Sequence, residues 1–188
     1  MIKIDKNGLV GNILLDRAYA KRRGIIGGSI LLFTRYLRCI NAEKYLEGEE
    51  RLLDIGCGDG FFLKRKNTAE GYGLDKLSGD EVVDVLDFPD DYFDCVTMLA
   101  VIEHIRKPEL ILREIHRVLK PGGKFIFTTP KKKAEKFIKL YTRDVENEHK
   151  GYFDYDIVKK MAAGMFEIYG YHTFIFGLNQ VFALKKRC

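Results

Sequence analysis

The fold is decided by the stretch Leu52-Leu53-Asp54-Ile55-Gly56-Cys57-Gly58-Asp59-Gly60, in which a short apolar run leads into three alternating glycines. The apolar run predicts a buried strand, and the residues after Gly60 predict a short helix. A strand that enters a helix through a glycine-rich turn presents backbone N–H groups at the helix N-terminus, where a carboxylate or phosphate binds favourably. The stretch therefore predicts an α/β fold with a ligand site at this turn.

Strand and helix signals alternate along the rest of the chain, which is typical of a parallel sheet covered by helices. Strands are predicted at 52–55, 72–75, 82–86, 93–99 and 124–129, and helices at 61–68, 109–119, 134–142 and 154–163. Two final strands, 167–176 and 180–185, flank a short turn and predict an antiparallel hairpin. These elements predict a Rossmann-like three-layer α/β sandwich with a mostly parallel, seven-stranded sheet.

The first fifty residues have a different pattern. Apolar residues at spacings of three and four in 12–23 and 30–46 predict amphipathic helices that pack on a larger body. At 188 residues, without internal repeats or a Pro/Gly/Ser-rich linker, the chain has the size of one domain. We therefore expect a single domain, 1–188, with an N-terminal helical cap at 1–50 and a Rossmann-like core at 51–188.

Composition excludes several classes of protein. A hydrophobic content of 46% with 31% charged residues is that of a globular chain rather than a disordered or membrane-embedded one. The four cysteines lack the spacing of zinc ligands or of a disulfide framework, so we expect free thiols and no metal site. No membrane-length apolar run, secretory signal or nucleic-acid-binding pattern occurs, which predicts a cytoplasmic protein without a nucleic-acid partner.

Three interpretations of the glycine turn compete. A turn without a ligand would not need three alternating glycines. A dinucleotide site has the fingerprint G-x-G-x-x-G, in which Phe61 here replaces the third glycine. Residues 51–105 hold 5 Lys/Arg against 12 Asp/Glu, a net charge of −7, which favours a ligand with positive centres. S-Adenosylmethionine is such a ligand, because it carries an ammonium and a sulfonium beside one carboxylate.

Each part of S-adenosylmethionine has a predicted partner in this segment. The glycine N–H groups would receive its carboxylate, and Asp54 would attract its ammonium. Asp75 ends the predicted second strand and would accept from the ribose hydroxyls, whereas Asp87 ends the third and would accept from the adenine amino group. Only ten residues, 61–70, separate the glycine turn from the second motif, so either the crossover helix is short or the second strand begins before residue 72.

Several segments resemble, in the same order, the motifs of class I S-adenosylmethionine-dependent methyltransferases. They are Leu52–Gly60, Gly71-Tyr72-Gly73-Leu74-Asp75, Val85-Leu86-Asp87-Phe88-Pro89, Phe93-Asp94-Cys95-Val96 through Ile102-Glu103-His104-Ile105, and Leu112–Gly123. The likeness covers about residues 51–130. It implies S-adenosylmethionine as cofactor, and the following cofactor-binding residues: Asp54, Gly56, Cys57, Gly58, Gly60, Asp75, Lys76, Asp87 and Phe88.

Methyl transfer is an in-line displacement, so alignment of two reactants supplies most of the rate. A hydroxyl acceptor would benefit from a general base. His104 is the candidate, because it follows the fourth strand at the carboxyl edge of the sheet; a plain hydrogen bond to a neighbouring loop is the alternative. Glu103 would orient His104, cap the helix or lie at the surface. Quinone-directed relatives hold a metal with Glu-x-x-Glu-His, whose first position here is Ala100, so no metal is expected.

Two features beyond the fifth strand bear on the acceptor. His149 and Tyr152 fall in a stretch that forms an acceptor-side lid in many relatives, and they are candidate acceptor contacts or parts of a structural loop. A basic run forms a solvated helix face or meets an anionic acceptor or a membrane surface. It consists of Lys131, Lys132, Lys133, Lys136 and Lys139.

The predicted function is methyl transfer to a small-molecule acceptor, preferably at oxygen, with lipids, quinones and glycan precursors as candidate acceptors. A protein that binds S-adenosylmethionine without catalysis, as a partner or sensor, is the main alternative. An NAD-dependent oxidoreductase is the third, because Gly56, Gly58 and Asp75 also fit the dinucleotide fingerprint.

Overall fold

The computed structural model describes residues 2–5, 8–10, 24–48, 51–66, 68–75, 85–134 and 151–187, with side chains from residue 30 onward. The strands are β1 (Ile2–Asp5), β2 (Gly8–Val10), β3 (Arg51–Ile55), β4 (Glu70–Leu74), β5 (Phe93–Leu99), β6 (Leu119–Pro130), β7 (Phe166–Phe174) and β8 (Asn179–Lys186). The helices are α1 (Gly24–Glu43), α2 (Phe61–Lys66), α3 (Pro108–Val118) and α4 (Tyr155–Ala162), with a 3₁₀ turn at Ile102–His104.

The described strands form one mixed sheet in the order β2-β1-β4-β3-β5-β6-β8-β7. Strands β4, β3, β5 and β6 are parallel to one another. The remaining pairs are antiparallel, including the predicted C-terminal hairpin of β7 and β8. The expectation of a seven-stranded, mostly parallel sheet was therefore wrong: eight strands are described, and antiparallel pairs outnumber parallel ones by four to three.

The extra strands come from the first ten residues, which were predicted to belong to a helical cap. In β1, the alternation of Ile2 and Ile4 with Lys3 and Asp5 has the period of two that favours a strand. Strand β1 pairs antiparallel with β4, with Ile2 opposite Gly73. The helix predicted at 30–46 is observed as α1, which runs from Gly24 to Glu43, whereas the helix predicted at 12–23 lies outside the described residues.

Two other predicted elements need comment. Residues 85 and 86 do not belong to a strand, which corrects the strand predicted at 82–86; residues 82–84 lie outside the described part, as does most of the helix predicted at 134–142. The crossover from β3 to β4 is short, because α2 has six residues and β4 begins at Glu70. Both explanations offered for the ten-residue spacing therefore hold.

Helices pack on both faces of the sheet. One hydrophobic cluster joins α3 and α4 to the sheet and is centred on Ile115, Phe125, Phe127 and Phe182. The other joins α1 and α2 to the opposite face and contains Cys39, Leu63, Ile126 and Ala183. Neighbouring residues of β6 thus point to opposite sides, as the pleat of a strand requires.

A chain of hydrogen bonds fastens the C-terminal half of α1 to the edge strand β7. The Tyr45 hydroxyl donates to His172 Nδ1 at 2.8 Å, and His172 Nε2 donates to Asn41 Oδ1 at 2.8 Å. These roles follow because Asn41 Nδ2 already donates to Leu37 O, which turns Oδ1 toward the histidine. A Cβ at Gly170 would lie 2.2 Å from the Tyr45 ring, so β7 needs glycine there. This contact fixes α1, which carries two arginines to the carboxyl edge of the sheet.

Candidate active site

The glycine turn has the backbone that its sequence predicts. Gly56, Gly58 and Gly60 have φ angles of 77°, 55° and 72°, in the left-handed region that favours glycine. A Cβ at Gly56 would lie 2.1 Å from Val101 Cγ2, whereas one at Gly58 would meet nothing within 4 Å. The N–H groups of Gly56 and Cys57 donate to Leu74 O, which ties the turn to the end of β4.

Asp75 joins the glycine turn directly. Its Oδ2 accepts a hydrogen bond of 3.0 Å from the backbone N–H of Gly58. The N–H of Gly60 donates to Cys57 O, so four N–H groups of the turn are engaged within the protein. The structure thus brings Asp75 and the glycines together. Because these N–H groups already have partners, the structure does not support the prediction that they bind a ligand carboxylate.

Asp54 lies under the turn and is 2% exposed. Burial raises the pKa of its carboxyl to about 7; the hydrogen bond from Thr97 Oγ1, 2.7 Å long, lowers it, and the charge of Asp75 raises it. A buried carboxylate is stabilised by a nearby cation. The pair Asp54 and Asp75 therefore forms a site that a positively charged ligand group would stabilise.

Helix α1 reaches the glycine turn through Arg35. Its Nη2 lies 3.2 Å from Asp59 Oδ2, and its guanidinium carbon lies 4.3 Å from the centre of the Phe61 ring. Asp59 Oδ1 also accepts from the N–H of Phe61, at the start of α2. Phe61, which replaces the third glycine of the dinucleotide fingerprint, thus packs beneath an arginine that the sequence analysis did not single out.

The segment predicted to line the adenine is held by α3. Arg117 donates through Nη2 to Leu86 O at 2.7 Å and through Nη1 to Phe88 O at 2.8 Å. Glu114 accepts from Arg117 and from the N–H of Leu86. The motif Leu112–Gly123, matched in the sequence without a stated role, therefore supplies an Arg-Glu clamp. Arg117 lies in the last turn of α3, next to the start of β6 and hence at the amino edge of the sheet.

Phe88 itself belongs to an aromatic cluster. Its ring centre lies 4.8 Å from that of Phe93, the first residue of β5, and 5.6 Å from that of Tyr72. Asp87 is exposed beside it. Phe88 therefore lies near the start of β5, at the edge of the sheet opposite the glycine turn. This placement favours a packing role for Phe88. It does not support the predicted adenine contacts of Asp87 and Phe88. Lys76 lies outside the described residues.

The two residues of the predicted catalytic pair have opposite surroundings. Glu103 is 2% exposed, whereas His104 is exposed. Burial raises the pKa of the Glu103 carboxyl, and its own backbone N–H and the charges of Arg38 and His104 lower it by less. The buried carboxyl follows β5 at the same edge as Asp54. The role of His104 as a base stays a prediction.

The backbone just before this pair is strained. Ala100 has a φ of 59°, and its N–H donates to Thr128 O at 2.9 Å. A non-glycine residue in the left-handed region costs roughly 1–2 kcal/mol. Strain of this kind is concentrated at functional sites, and here it marks the end of β5.

On the acceptor side, Tyr152 is half-buried, and its neighbour Phe153 accepts through its carbonyl from Gln180 Nε2. Because Gln180 pairs with Thr129, this contact brings Tyr152 to the carboxyl end of β6. His149 lies outside the described residues, as do Lys136 and Lys139. Lys131 Nζ lies 5.9 Å from the centre of the Tyr171 ring, and Lys132 and Lys133 are exposed.

The described cysteines are free and buried: Cys39, Cys57 and Cys95. Burial raises the pKa of the Cys57 thiol well above its usual range and that of Cys39 to about 12, so both remain protonated packing residues. Among the described residues, no group of three His, Cys, Asp or Glu side chains is arranged to hold a metal ion. In the same part of the chain, no helix is long and apolar enough to cross a membrane.

Comparison with known proteins agrees with this geometry. The family described as "Methyltransferase domain" matches residues 31–164. Over 134 residues the chain is 30% identical to the ubiquinone/menaquinone biosynthesis C-methyltransferase UbiE of Hahella chejuensis, a match that covers 65% of this chain and 45% of that relative. The chain thus spans less than half the length of the curated relatives it matches.

Two solved structures share the fold. One belongs to the complex between the Haloferax volcanii methyltransferase activator Trm112 and a methyltransferase, with a TM-score of 0.69 at 15% identity over 92% of this chain and 96% of that one. The other is a SAM-dependent methyltransferase from Thermotoga maritima, with a TM-score of 0.62 at 22% identity over 81% and 89%. The chain is a member of the methyltransferase-domain family. Within it, the glycine turn and the two aspartates mark the class I, S-adenosylmethionine-dependent type.

Proposed function

We propose that the protein transfers a methyl group from S-adenosylmethionine to a small-molecule acceptor. The observation that carries the proposal is the arrangement of Asp54 and Asp75 at the glycine turn, where the charge of Asp75 adds to the burial that raises the pKa of Asp54. A ligand with an ammonium and a sulfonium relieves that cost, whereas a dinucleotide, with its diphosphate, increases it. Family membership supports the same cofactor.

The residues fit this cofactor in the following way. Asp54 would hold the ammonium, because a nearby cation stabilises a buried carboxylate. Asp75 would accept from the ribose hydroxyls, since a carboxylate has about four acceptor positions and the bond from Gly58 takes one. Gly58 would let the ligand approach, because no atom lies where its Cβ would be. When bound, S-adenosylmethionine supplies an electrophilic methyl carbon.

For the acceptor, we retain the class of small lipids, quinones and glycan precursors, with oxygen as the predicted methylated atom. The name of the Hahella chejuensis relative, a C-methyltransferase of quinone biosynthesis, favours a quinone precursor and a carbon atom. An acceptor with a ring hydroxyl is consistent with methylation at either oxygen or carbon. Loss of the hydroxyl proton activates both the oxygen and the neighbouring ring carbon.

Ligand-dependent melting tests the cofactor. A ligand at a hundredfold excess over its Kd adds ~2.7 kcal/mol of stability, or roughly 5 to 11 °C for a domain of this size. We expect such a shift with S-adenosylmethionine and with S-adenosylhomocysteine, and none with NAD. A shift with NAD alone would establish the oxidoreductase alternative instead.

Two variants and one assay complete the test. Asp75→Ala should weaken cofactor binding by about 1–3 kcal/mol, because the ribose hydroxyls lose a charged acceptor. Asp156→Ala, at an exposed position of α4, is the matched control and should bind as the wild type does. Radiolabelled methyl transfer to pools of small acceptors then separates an enzyme from a non-catalytic binding protein: cofactor binding without any transfer would support the binding protein.

A further inference from the structure

The N-terminal half of α1 extends beyond the packed body of the protein. Leu32 and Cys39 are seven residues apart and therefore lie on the same side of the helix, yet Leu32 is 54% exposed and Cys39 only 2%. Phe33, next to Leu32, is exposed as well. The side of α1 that is buried at Cys39 thus carries an apolar side chain in water two turns earlier.

This extending part lies at the carboxyl edge of the sheet. Arg35 meets Asp59 in the glycine turn at that edge, whereas Glu47, just past the end of α1, meets Lys124 near the start of the parallel pairing of β6 with β5. Helix α1 therefore runs from the carboxyl edge toward the amino edge. Its exposed apolar residues precede Arg35, so they extend past the edge that carries the proposed cofactor site.

The turn between β7 and β8 lies at the same edge, because β8 begins opposite the end of β6. The N–H of Leu178 donates to Ile175 O at 2.9 Å, which makes Phe176 and Gly177 the central residues of the turn. Their φ angles are 53° and 71°, a conformation that favours Asn, Asp or Gly. Phe176 adopts this conformation and is fully exposed, so neither the turn nor the core accounts for a phenylalanine at this position.

Cations accompany these apolar side chains. The N–H of Lys131 donates to Leu178 O at 2.8 Å, which brings the basic run after β6 to the turn. A Cβ at Gly177 would lie 3.1 Å from Lys133 Nζ, so this ammonium lies against the turn, and Lys132 is exposed. In the sequence, residues 17–42, which include most of α1, contain six Lys/Arg and no Asp/Glu. The edge thus combines exposed apolar side chains with an excess of positive charge.

Charge and side-chain type select the partner. Exposed apolar side chains that gather at one edge mark a binding surface. A second copy of the chain, related by two-fold symmetry, would bring the same lysines against one another. RNA would be attracted by the lysines and would stack on phenylalanine, but it has no group that suits the aliphatic Leu32. An anionic lipid surface suits both features, because its headgroups attract lysines and its acyl boundary accepts Phe and Leu side chains.

We propose that a carboxyl-edge patch, defined as Leu32, Phe33, Phe176, Lys132 and Lys133, docks the protein on the surface of an anionic membrane. The apolar side chains enter the boundary between headgroups and acyl chains, and the ammonium groups remain at the phosphates. Docking itself does not depend on the proposed function. Where that function holds, docking turns the cofactor site toward the lipid and favours an acceptor that resides there.

Flotation with lipid vesicles tests the docking. Vesicles of phosphatidylcholine alone are compared with mixed vesicles of phosphatidylcholine and phosphatidylglycerol in equal parts. We expect the full chain to bind the mixed vesicles at least about tenfold more tightly, and we expect added salt to weaken this binding because it screens the lysines. Flotation with neither kind of vesicle, or equal binding to both, would overturn the proposal.

The sequence contains no tryptophan, which allows a reporter at a single site. Phe176→Trp places an indole in the turn. Val85→Trp places one at an exposed apolar position of the opposite edge, where Arg117 holds the neighbouring Leu86. On addition of mixed vesicles, the emission of Phe176→Trp should shift to shorter wavelength because the indole leaves water, and that of Val85→Trp should not. Equal shifts in both variants, or no shift at position 176, would contradict the proposal.

One variant separates docking from folding. Phe176→Asn removes the apolar ring and introduces a residue that the turn conformation favours. It should therefore be at least as stable as the wild type while binding mixed vesicles several-fold more weakly. Val85→Asn is the matched control and should bind as the wild type does. Wild-type binding by Phe176→Asn would remove the turn from the docking surface and refute the patch as defined.

A second pair of variants tests the charges. Lys132→Gln/Lys133→Gln should weaken binding to mixed vesicles and reduce its salt dependence, because two cations are lost from the patch. Lys159→Gln/Lys160→Gln removes two exposed cations from the last turn of α4 and should change neither. Equal losses in the two double variants would indicate attraction by net charge alone and would count against the patch.

The remaining outcomes identify the other partners or separate the two proposals. Self-association that Phe176→Asn abolishes, or binding to polyuridylate in place of vesicles, would overturn membrane docking in favour of a second copy or of RNA. Binding of S-adenosylhomocysteine is measured without vesicles. A protein that binds this ligand but no vesicle keeps the proposed function and loses the docking, whereas the reverse result keeps the docking and loses the function.

Discussion

The hydroxyl of Thr97 donates to a carboxylate oxygen of Asp54 across 2.7 Å, inside a sheet where both side chains are almost completely buried. One hydrogen bond does not compensate a carboxylate for the loss of water, and the pKa of Asp54 stays near 7. The site thus carries an electrostatic cost that a cationic ligand would remove. The first two predictions follow from this cost.

Asp54→Asn should change how stability depends on pH. The pKa of Asp54 is about 7 in the folded protein, against about 3.9 in an unfolded chain, so the folded state binds more protons between these values. The contribution of Asp54 to stability is therefore fully present below pH ~4 and is lost as the pH rises to ~7. Between pH 5 and 8 the wild type should lose about 3 kcal/mol more than Asp54→Asn, as measured by urea unfolding.

An exposed aspartate controls for this effect. Asp156→Asn should follow the pH dependence of the wild type, because its carboxylate is in water in both states. If Asp54→Asn and the wild type have parallel stability curves, the carboxyl of Asp54 does not titrate near neutrality.

Cofactor binding should release protons from Asp54. At pH 7 its carboxyl is about half protonated, and an ammonium bound beside it lowers the pKa and drives the proton off. Calorimetric titration with S-adenosylhomocysteine in buffers of different ionisation enthalpy should report a release of up to about half a proton. The release should be absent in Asp54→Asn; a release that persists there would place its source elsewhere.

The three glycines of the turn should not be equivalent. Gly56→Ala meets both an unfavourable φ and the side chain of Val101, whereas Gly58→Ala meets only the unfavourable φ. We expect Gly58→Ala to lower the free energy of unfolding by about 1–2 kcal/mol and Gly56→Ala to lower it by clearly more. Chemical denaturation measures both. The double variant Gly56→Ala/Val101→Ala should recover part of the additional loss, and failure to do so would argue against the steric cause.

Arg117→Met should loosen the segment around Phe88. The variant keeps much of the aliphatic packing but removes the donors to the carbonyls of Leu86 and Phe88. A loss of about 2–4 kcal/mol in unfolding free energy is expected if both carbonyls are left unpaired. Arg113→Met, on the exposed face of the same helix, should change stability by less than about 0.5 kcal/mol. Similar losses in both variants would show that helix propensity, not the clamp, is responsible.

Local patterns were enough for much of the fold. The strand 93–99, the helix that ends before Pro121 and the C-terminal hairpin are signalled by apolar periodicity and by proline and glycine, and the structure confirms them. The strands of the first ten residues were missed. They are short, and their pairing with β4 joins residues about seventy positions apart, which no local pattern reports.

The candidate site likewise has features that the sequence predicted and features that it did not. Asp54, the glycines and Asp75 were expected to meet, because the carboxyl ends of parallel strands lie at one edge, and they do. The contrast between Glu103 and His104 was not foreseen. Glu103 is buried in the 3₁₀ turn and experiences the charge of Arg38, a residue of α1 that is distant in the sequence.

The sequence by itself therefore determined the class of fold, the glycine turn and the two aspartates at the carboxyl ends of neighbouring strands, because each depends on short-range backbone preferences and on strand order. The tertiary structure alone decided the burial, the hydrogen-bond partners and the charged neighbours of these side chains. It buries Asp54 beside Thr97, pairs the N–H of Gly58 with Asp75, packs Phe88 against Phe93 at the opposite edge of the sheet, and buries Glu103 within reach of the charge of Arg38. Burial and charge proximity arise from the packing of distant segments, and they set the chemistry of the site.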